Sequence, residues 1–337
     1  ILALALASHP RLGANSPAHA ALGEASGVGS VVLRVVWEFM VSVPFRKRFM
    51  LGKKLGVGGH SSVLFAKHAY RNSGRTFAVK YVQHRLENQE QVDMLHREAN
   101  ILRAMQHPGI PTMFEYYRDE LSSYMVLEAY KAGDLLSRVL KRPERRLDEG
   151  EAKAVVRKLA EVVAYLHDRN CVHRDIKPEN VVFATDAPNA RLALIDFGFA
   201  QSGVNGHTLN VACGTPEYAA PEILHGRPYG KEVDVWALGV LIYVCTVGQA
   251  PFVAEDERKL IAVIKSGQYD YDTRQRWGEL SEELRSLLRA TLEPSVQRRP
   301  PIHDLLRHPW LSAAPPLSNP SSSSSSAAAA TAASAAG

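Results

Sequence analysis

The hydrophobic pattern changes character along the chain, from short segments near the start to long helical periods later. The early segments are β-rich and separated by glycine, which predicts strands. The predicted strands are Phe49 to Leu55, Ser62 to His68, Thr76 to Gln83 and Tyr124 to Leu127. The later periods predict helices, so the pattern as a whole indicates an α+β protein with a small β lobe followed by a larger, mainly α lobe.

Three segments carry distinct helical signals. Gln91 to Met105 has apolar residues at helical spacing and ends at a His-Pro-Gly run, which predicts one amphipathic helix within the β lobe. A second helix is predicted to begin at Asp148, with Glu151 placed as in a capping box. Val235 to Val247 is apolar on nearly all sides, which predicts a helix buried at the centre of the larger lobe.

The two ends of the chain differ in composition from the middle. Residues 1–48 are rich in Ala, Gly, Ser and Val without clean periodicity, and we expect an N-terminal extension of uncertain structure. Residues 312–337 are mostly Ser and Ala, which predicts a disordered tail. The first residues lack the charged n-region of a signal peptide, and the longest apolar stretches are too short or too interrupted to span a bilayer.

Composition and charge narrow the class of protein. The 337 residues are 46% hydrophobic and 22% charged, enough to bury a large core. The net charge of +5 raises nucleic-acid binding as an alternative, but the basic residues are scattered, so solvated charge is favoured and no nucleic-acid partner is expected. The three cysteines are far apart and have no C-x-x-C spacing, which favours a reducing, intracellular and cytoplasmic location.

Two segments of the β lobe suit the phosphates of a nucleotide. The first is the glycine-rich run Gly56-Val57-Gly58-Gly59-His60-Ser61-Ser62-Val63, where the backbone can approach a phosphate closely. It is not a Walker A loop, because no Lys-Ser/Thr follows, and it does not open onto a helix as a dinucleotide fingerprint does. The second is Ala78-Val79-Lys80 on a strand, followed by Glu98 on the next helix, a carboxylate that could steady the lysine.

Three further motifs follow in the larger lobe. They are His173-Arg174-Asp175-Ile176-Lys177-Pro178-Glu179-Asn180, Asp196-Phe197-Gly198 and Ala220-Pro221-Glu222. With the glycine run and A-V-K, this ordered set resembles the eukaryotic protein kinase family. The resemblance covers residues 49–311 as one catalytic domain. It implies a two-lobed protein kinase fold, with a five-stranded antiparallel β lobe and one helix above a mainly α lobe, and a nucleotide in the cleft.

The resemblance implies roles in phosphoryl transfer from MgATP. Asp175 would orient the substrate hydroxyl and accept its proton. Lys80, steadied by Glu98, would hold the nucleotide phosphates, and Asn180 and Asp196 would hold two Mg²⁺ ions. The residues implied to be catalytic are Asp175, Lys177, Lys80, Glu98 and Thr215. ATP and Mg²⁺ are therefore the expected cofactors.

The resemblance also implies how the nucleotide and the substrate are held. The cofactor site, with Leu127 as gatekeeper before the hinge, is implied to contain Lys80, Leu55, Gly56, Gly58, Val63, Ala78, Leu127, Glu128, Tyr130, Asp134, Glu179, Asn180, Val182 and Asp196. Asp134 and Glu179 also resemble the acids that receive an arginine three residues before the target. A third such acid would lie at position 244, where the residue is Val244. One basic residue, three before the target, is the predicted preference.

The branch of the family follows from other residues. Lys177, which would neutralise charge near the γ-phosphate, and Gly214-Thr215-Pro216-Glu217-Tyr218 resemble the serine/threonine branch, with Thr215 bracing Asp175 and Lys177. The stretches REANILRAMQHPGI and YGKEVDVWALGVLIYVCTVGQAPF are similar to the calcium/calmodulin-dependent protein kinase group. The cyclic-nucleotide-dependent group is the competing reading, but it usually carries a hydrophobic C-terminal tail. The residues after Trp310 do not resemble one.

Regulation and partners follow from departures within the same resemblance. The segment after Trp310 has no basic amphipathic helix, so calmodulin is not an expected partner; the expected partners are protein substrates with Ser or Thr, acted on by a monomer. Val211 stands where many kinases place an activating phosphothreonine, so Arg174 has no obvious phosphate there, although Thr208 and Ser202 lie upstream. Activity is therefore predicted not to require phosphorylation of this loop.

Two structural features and one rival function complete the prediction. The family's matching residues predict a buried ion pair between Arg299 and Glu222. They also predict an apolar stack tied to Asp234 and formed by Leu102, Met113, His173 and Phe197. The rival is a catalytically silent pseudokinase scaffold. Such a protein would usually have lost Lys80, Asp175 or Asp196, and all three are present.

Overall fold

The computed structural model describes residues 44–57, 61–70, 74–84, 89–267 and 276–312. The extension up to residue 43, the tail from residue 313 and Gly58 of the predicted nucleotide site lie outside the described residues. Among the described helices, none is both long and apolar enough to cross a membrane.

The elements follow the predicted order, with most strands in the first part of the described chain and most helices in the second. The strands are β1 (Phe49–Val57), β2 (Ser62–His68), β3 (Thr76–Gln83), β4 (Met113–Arg118), β5 (Ser122–Glu128), β6 (Val181–Phe183) and β7 (Leu192–Leu194). The helices are α1 (Phe45–Arg48), α2 (Gln89–Ala104), α3 (Leu135–Leu140), α4 (Glu149–Asp168), α5 (Pro221–Leu224), α6 (Glu232–Val247), α7 (Glu257–Ser266), α8 (Glu282–Thr291), α9 (Ile302–Arg307) and α10 (Pro309–Ser312). Short 3₁₀ turns cover Pro178–Asn180, Pro216–Tyr218 and Trp277–Glu279.

The small lobe is a five-stranded antiparallel sheet in the order β1-β2-β3-β5-β4. This confirms the predicted sheet, with α2 as its one long helix. The sequence pattern did not locate β4, which reads M-F-E-Y-Y-R and lies at the edge of the sheet. Five of its six residues are half-buried and the last is exposed, so it lacks the alternation of buried and exposed positions that marks a strand.

The two faces of this sheet have different neighbours. Antiparallel partners share a face, and Val63 pairs with Lys80 while Ala78 pairs with Leu127, so these four side chains lie on the face that carries the reactive lysine. The opposite face packs under α1. Phe45 is 1% exposed and its ring stacks on an aromatic ring of β5 with the centroids 4.1 Å apart. The packed core of the lobe therefore begins before residue 49, the predicted start of the domain.

The larger lobe is built around α6, which is buried along almost its whole length, as predicted. Helix α4 packs beside it, and Asp148 caps α4 by accepting a hydrogen bond from the backbone N–H of Glu151 at 2.8 Å. Only this half of the predicted capping box forms. The Glu151 carboxylate instead pairs with Arg142 at 2.6 Å.

A small hairpin carries the reactive loops of the larger lobe. Strand β6 pairs with β7 in antiparallel register. Residues 173–180 lead into β6, and Asp196 lies two residues after the end of β7. Since the two strands are hydrogen-bonded neighbours, the hairpin brings these two motifs together below the small lobe. Cys171, Cys213 and Cys245 are free thiols.

Candidate active site

Lys80 joins the two lobes. Its Nζ atom donates to Glu98 of α2 at 2.7 Å and to Asp196 at 2.7 Å. Burial acts to lower the pKa of Lys80, but the two carboxylates outweigh it and hold that pKa above its ordinary value. Burial likewise acts to raise the pKa of Asp196, and the Lys80 ammonium outweighs it, so that pKa lies below its usual range. At neutral pH the site therefore holds a cation against an anion that faces the cleft.

Asp196 and Phe197 are fixed in opposite directions. Asp196 has a φ of 63°, an uncommon value for a residue with a side chain, and its carboxylate is partly open to solvent. Phe197 is buried, and its backbone N–H donates to Glu98 at 3.2 Å. Its ring meets that of His173 edge to face at 4.8 Å. Glu98 thus binds the lysine of the small lobe and the backbone of the larger one at once.

One contact of the predicted apolar stack, between His173 and Phe197, is observed directly, and the other two members lie in or against the same core. Leu102 and Phe197 belong to the main core, Met113 packs against that core, and His173 is fully buried beside Phe197. The backbone N–H of His173 donates to Asp234 at 2.9 Å.

Asp175 lies in a closed set of hydrogen bonds. One carboxylate oxygen accepts from the Thr215 hydroxyl at 2.8 Å, and the other accepts from the Asn180 amide at 2.9 Å and lies 2.9 Å from the Lys177 ammonium. Lys177 also donates to the Thr215 hydroxyl at 2.7 Å. These bonds leave the Asp175 side chain one orientation, with both of its oxygens held by donors.

Gly214 allows the loop that carries Thr215 to come this close. Its φ is 90°, and a Cβ there would lie 2.4 Å from the backbone oxygen of Arg174. Any other residue would be strained and would clash with backbone. The glycine in the Gly-Thr-Pro-Glu-Tyr run is therefore required by the approach of two loops.

Asp234 fixes the loop that carries Asp175 from below. It is completely buried and accepts from the backbone N–H groups of His173 and Arg174, both at 2.9 Å, and from the His167 ring at 2.9 Å. Burial acts to raise the pKa of Asp234, but the hydrogen bond and charge of His167, with the other donors, hold that pKa below its usual range. Sequence reasoning placed Asp234 but not His167.

The apolar residues predicted to form the nucleotide pocket are only partly buried. Val63, Ala78, Leu127 and Val182 are half-buried, and Leu55 is exposed. Residues that only close a gap between lobes would be buried. Partial exposure on facing surfaces fits a pocket that is completed by a flat apolar ligand.

The hinge between the lobes is tied by a residue that the sequence did not reveal. Arg191, the residue before β7, pairs with the Glu128 carboxylate and donates to the Tyr130 hydroxyl at 2.9 Å. It also donates to the backbone oxygen of Pro108 at 3.1 Å. The side chains of Glu128 and Tyr130 therefore anchor the hinge to the larger lobe.

The donor set fits Mg²⁺ bound with phosphates. Within the described residues the Asn180 amide makes its hydrogen bonds through Nδ2, which donates to Asp175, so its Oδ1 keeps its lone pairs for a cation. Asp196 supplies a partly exposed, ionised carboxylate. Mg²⁺ is usually held by one or two such oxygens and completes its shell with substrate phosphates and water. Among the described residues there is no group of three or more His, Cys, Asp or Glu side chains that could hold a metal ion.

Comparison with known proteins identifies this arrangement. The protein kinase domain family matches residues 49–311 of the chain. The chain belongs to the protein kinase family. The kinase is 34% identical to calcium/calmodulin-dependent protein kinase type 1 from Macrobrachium nipponense, over 79% of this chain and 75% of the relative. It is 33% identical to the human type 1B protein, over 78% of this chain and 75% of the relative. The predicted group is confirmed, and the enzyme is a protein serine/threonine kinase.

The two acids predicted to receive a substrate arginine differ in their surroundings. Asp134 caps α3 of the kinase, accepting from the Ser137 backbone N–H at 2.7 Å and from its hydroxyl at 3.0 Å. Glu179 is exposed, and among the described residues no cation lies within ion-pair distance of it. Glu179 is therefore the acid that is free to take a new partner.

The predicted ion pair of the kinase's larger lobe is confirmed. Arg299 donates to both oxygens of Glu222, at 2.7 and 3.1 Å, and the two side chains are 0% and 4% exposed. Arg299 also donates to the backbone oxygens of Glu232 and Glu293, and its guanidinium lies 5.0 Å from the Trp236 ring centre. The pair fixes the end of the loop that carries Thr215 to the body of the lobe.

Proposed function

We propose that this kinase transfers the γ-phosphate of MgATP to serine or threonine hydroxyls of proteins, with Asp175 as the residue that receives the hydroxyl proton. The observation that carries the proposal is the fixed carboxylate of Asp175, held between Thr215, Asn180 and Lys177. Orientation of the attacking group is the main task left to the protein in phosphoryl transfer, because the transition state is loose and needs little covalent help.

The charge of each residue of the site determines its proposed role. ATP supplies the phosphoryl group, and Mg²⁺ neutralises its phosphates. Asn180 and Asp196 would hold the metal, and Lys80 would hold the nucleotide phosphates while Glu98 keeps its ammonium in place. Lys177 brings a second ammonium beside Asp175, where it would offset the negative charge of the transferred group.

The rival reading is a pseudokinase scaffold. Incubation with labelled ATP and a degenerate peptide library separates the two readings, with an Asp175→Asn preparation run in parallel as the blank. We expect label on serine and threonine in the wild-type reaction only. A chain that binds ATP in the cleft but leaves every peptide unlabelled would favour the scaffold.

We further propose that the substrate carries an arginine three residues before the target. Peptides that differ only by Arg, Lys or Ala at that position are expected to rank in that order. The arginine peptide should exceed the alanine peptide in kcat/KM by about tenfold, since a hydrogen bond to a charged group contributes about 1.5–3 kcal/mol. A second arginine, placed nearer the target, should add little, because Val244 offers it no acid.

Two charge-only substitutions assign this preference to a residue. Glu179→Gln is expected to remove most of the difference between the arginine and alanine peptides. Asp134→Asn preserves a good helix cap for α3 and should remove less, because the Asp134 carboxylate is already engaged by Ser137. Equal kcat/KM for the arginine and alanine peptides in the wild-type enzyme would rule out the preference itself.

We propose that this chain is active without calmodulin. The names of its relatives, by contrast, describe calcium/calmodulin-dependent kinases. Calmodulin targets are basic amphipathic helices, and residues 313–337 contain no lysine or arginine. Calcium-loaded calmodulin added to the chain is expected to leave peptide phosphorylation unchanged to within about twofold. A several-fold change that a calcium chelator reverses would contradict the proposal.

A further inference from the structure

The loop from Asp196 to Glu222, here called the activation segment, is clamped by Tyr229 beyond its end. The backbone N–H of Leu209 donates to the Tyr229 backbone oxygen at 3.1 Å, and the Tyr229 N–H donates back at 2.8 Å. The Tyr229 hydroxyl donates to the backbone oxygen of Val211 at 2.6 Å. These three hydrogen bonds join one residue to the middle of the segment, and the Cys213 Sγ atom lies 4.0 Å from the same hydroxyl.

The same hydroxyl is the partner of Arg174, the arginine that precedes Asp175. Arg174 Nη1 donates to the Tyr229 hydroxyl at 3.1 Å, and Arg174 Nε donates to the backbone oxygen of Phe199 at 2.6 Å. Within the described part of the chain, no carboxylate lies within ion-pair distance of this guanidinium. The oxygen that an activating phosphate would offer to such an arginine is here supplied by a phenol.

The chemistry of a phenol allows both contacts at once, since its oxygen accepts from Arg174 while its proton goes to Val211. Burial raises the pKa of Tyr229 above its ordinary value, against the opposing effect of Arg174, so the hydroxyl keeps its proton at neutral pH. Val211 itself cannot be phosphorylated, and its side chain is 64% exposed, so it adds little packing of its own.

We propose that Tyr229 is a positioning residue that takes the place of an activating phosphate, holding the activation segment ready for catalysis without phosphorylation. Val211 lies shortly before Thr215, whose hydroxyl binds both Asp175 and Lys177. The clamp therefore fixes the position of Thr215 and of the peptide-docking residues around it. The inference rests on the proposed function, because it concerns the same transfer to peptides.

The test is Tyr229→Phe, which keeps the ring and removes the bonds of the hydroxyl to Arg174 and Val211 together with its weak contact with Cys213. We expect kcat/KM for a peptide to fall by about tenfold or more, the effect of losing one charge-assisted hydrogen bond. The dissociation constant for ATP should not change, because Lys80, Glu98 and Asp196 are untouched. Amide hydrogen exchange in residues 205–216 should become faster. A purely structural role would instead weaken ATP binding and peptide turnover together.

Tyr117→Phe is the matched control. The Tyr117 hydroxyl also accepts from an arginine, Arg48 at 3.0 Å, and donates to a carboxylate, but it lies on the far side of the small lobe. Its loss should not alter peptide turnover. A Tyr229→Phe enzyme that keeps wild-type kcat/KM would overturn the proposal. Wild-type turnover in the same assay separates this failure from a failure of the proposed function, which would leave no turnover at all.

Two further arms do not depend on the folding of Tyr229→Phe. Phosphatase treatment of the wild-type enzyme is expected to leave its activity unchanged, and a large loss would show that a phosphate holds the segment. Arg174→Gln removes the other end of the same contact, so its effect and that of Tyr229→Phe should overlap in the double variant. Fully additive losses would show that the two residues act independently, against the proposal.

Discussion

Replacing Asp175 by asparagine is expected to lower kcat by about 10²–10⁴-fold, the usual contribution of a positioned general base. The substitution keeps the size of the side chain but removes its ability to accept a proton. It also turns an oxygen that faces the Asn180 amide and the Lys177 ammonium into a possible donor, so donors would face donors. The hydroxyl would then lose both its acceptor and its alignment.

Steady-state kinetics with a saturating peptide measure this effect, and thermal unfolding shows whether the fold is retained. Asp168→Asn is the control, since Asp168 is an exposed carboxylate at the end of α4 that pairs with His303. It should leave kcat unchanged. An Asp175→Asn enzyme with near wild-type kcat would mean that another group takes the proton.

Arg299→Ala is expected to reduce the free energy of unfolding by roughly 3–5 kcal/mol, because it leaves the Glu222 carboxylate buried without its partner. The lost bonds to the backbone oxygens of Glu232 and Glu293 and the lost contact with Trp236 act in the same direction. The chain offers a control one position away. Arg298 is an exposed arginine that pairs with Glu293 at the surface, and Arg298→Ala should cost only about 0–1 kcal/mol.

Urea unfolding of the two variants beside the wild type measures the difference. The midpoint should fall clearly for Arg299→Ala and barely for Arg298→Ala, with similar slopes for all three proteins. Equal midpoints for the two variants would show that burial of the pair contributes nothing beyond an ordinary surface contact.

Much of the site could be predicted because its residues lie in ordered motifs on elements with a clear period. The pattern placed Lys80 on a strand and Glu98 on an amphipathic helix, and the structure joins them at 2.7 Å. The all-round apolar run around Val235 correctly predicted the buried helix α6. The edge strand β4 was not predicted because its half-buried positions show no alternation of buried and exposed residues. Only one of the two hydrogen bonds of the capping box at Asp148 forms, because the Glu151 carboxylate pairs with Arg142 instead.

The contacts that could not be predicted join residues far apart in sequence. His167 and Asp234 are 67 residues apart, Glu128 and Arg191 are 63 apart, and Arg174 and Tyr229 are 55 apart. In each pair one partner, namely His167, Arg191 or Tyr229, has no feature in its own segment that points to this contact. Only the folded arrangement of the larger lobe makes them partners, so local pattern carries no signal for them.

The ion pair of Arg299 also has a consequence for how the enzyme is made. A growing chain contains every motif residue of the cleft once it has passed Glu222, but the partner of that glutamate is synthesised 77 residues later. The partner of α4 is synthesised later still, since Glu149 accepts a hydrogen bond from Trp310, 161 residues further along the chain. Non-local contacts must form before the larger lobe is stable. A nascent or truncated chain therefore contains every motif residue of the cleft but lacks the contacts that hold the lobe together. Phosphorylation is therefore expected to begin only after the segment from Arg299 to Trp310 has been made and packed, and not when the last catalytic residue appears.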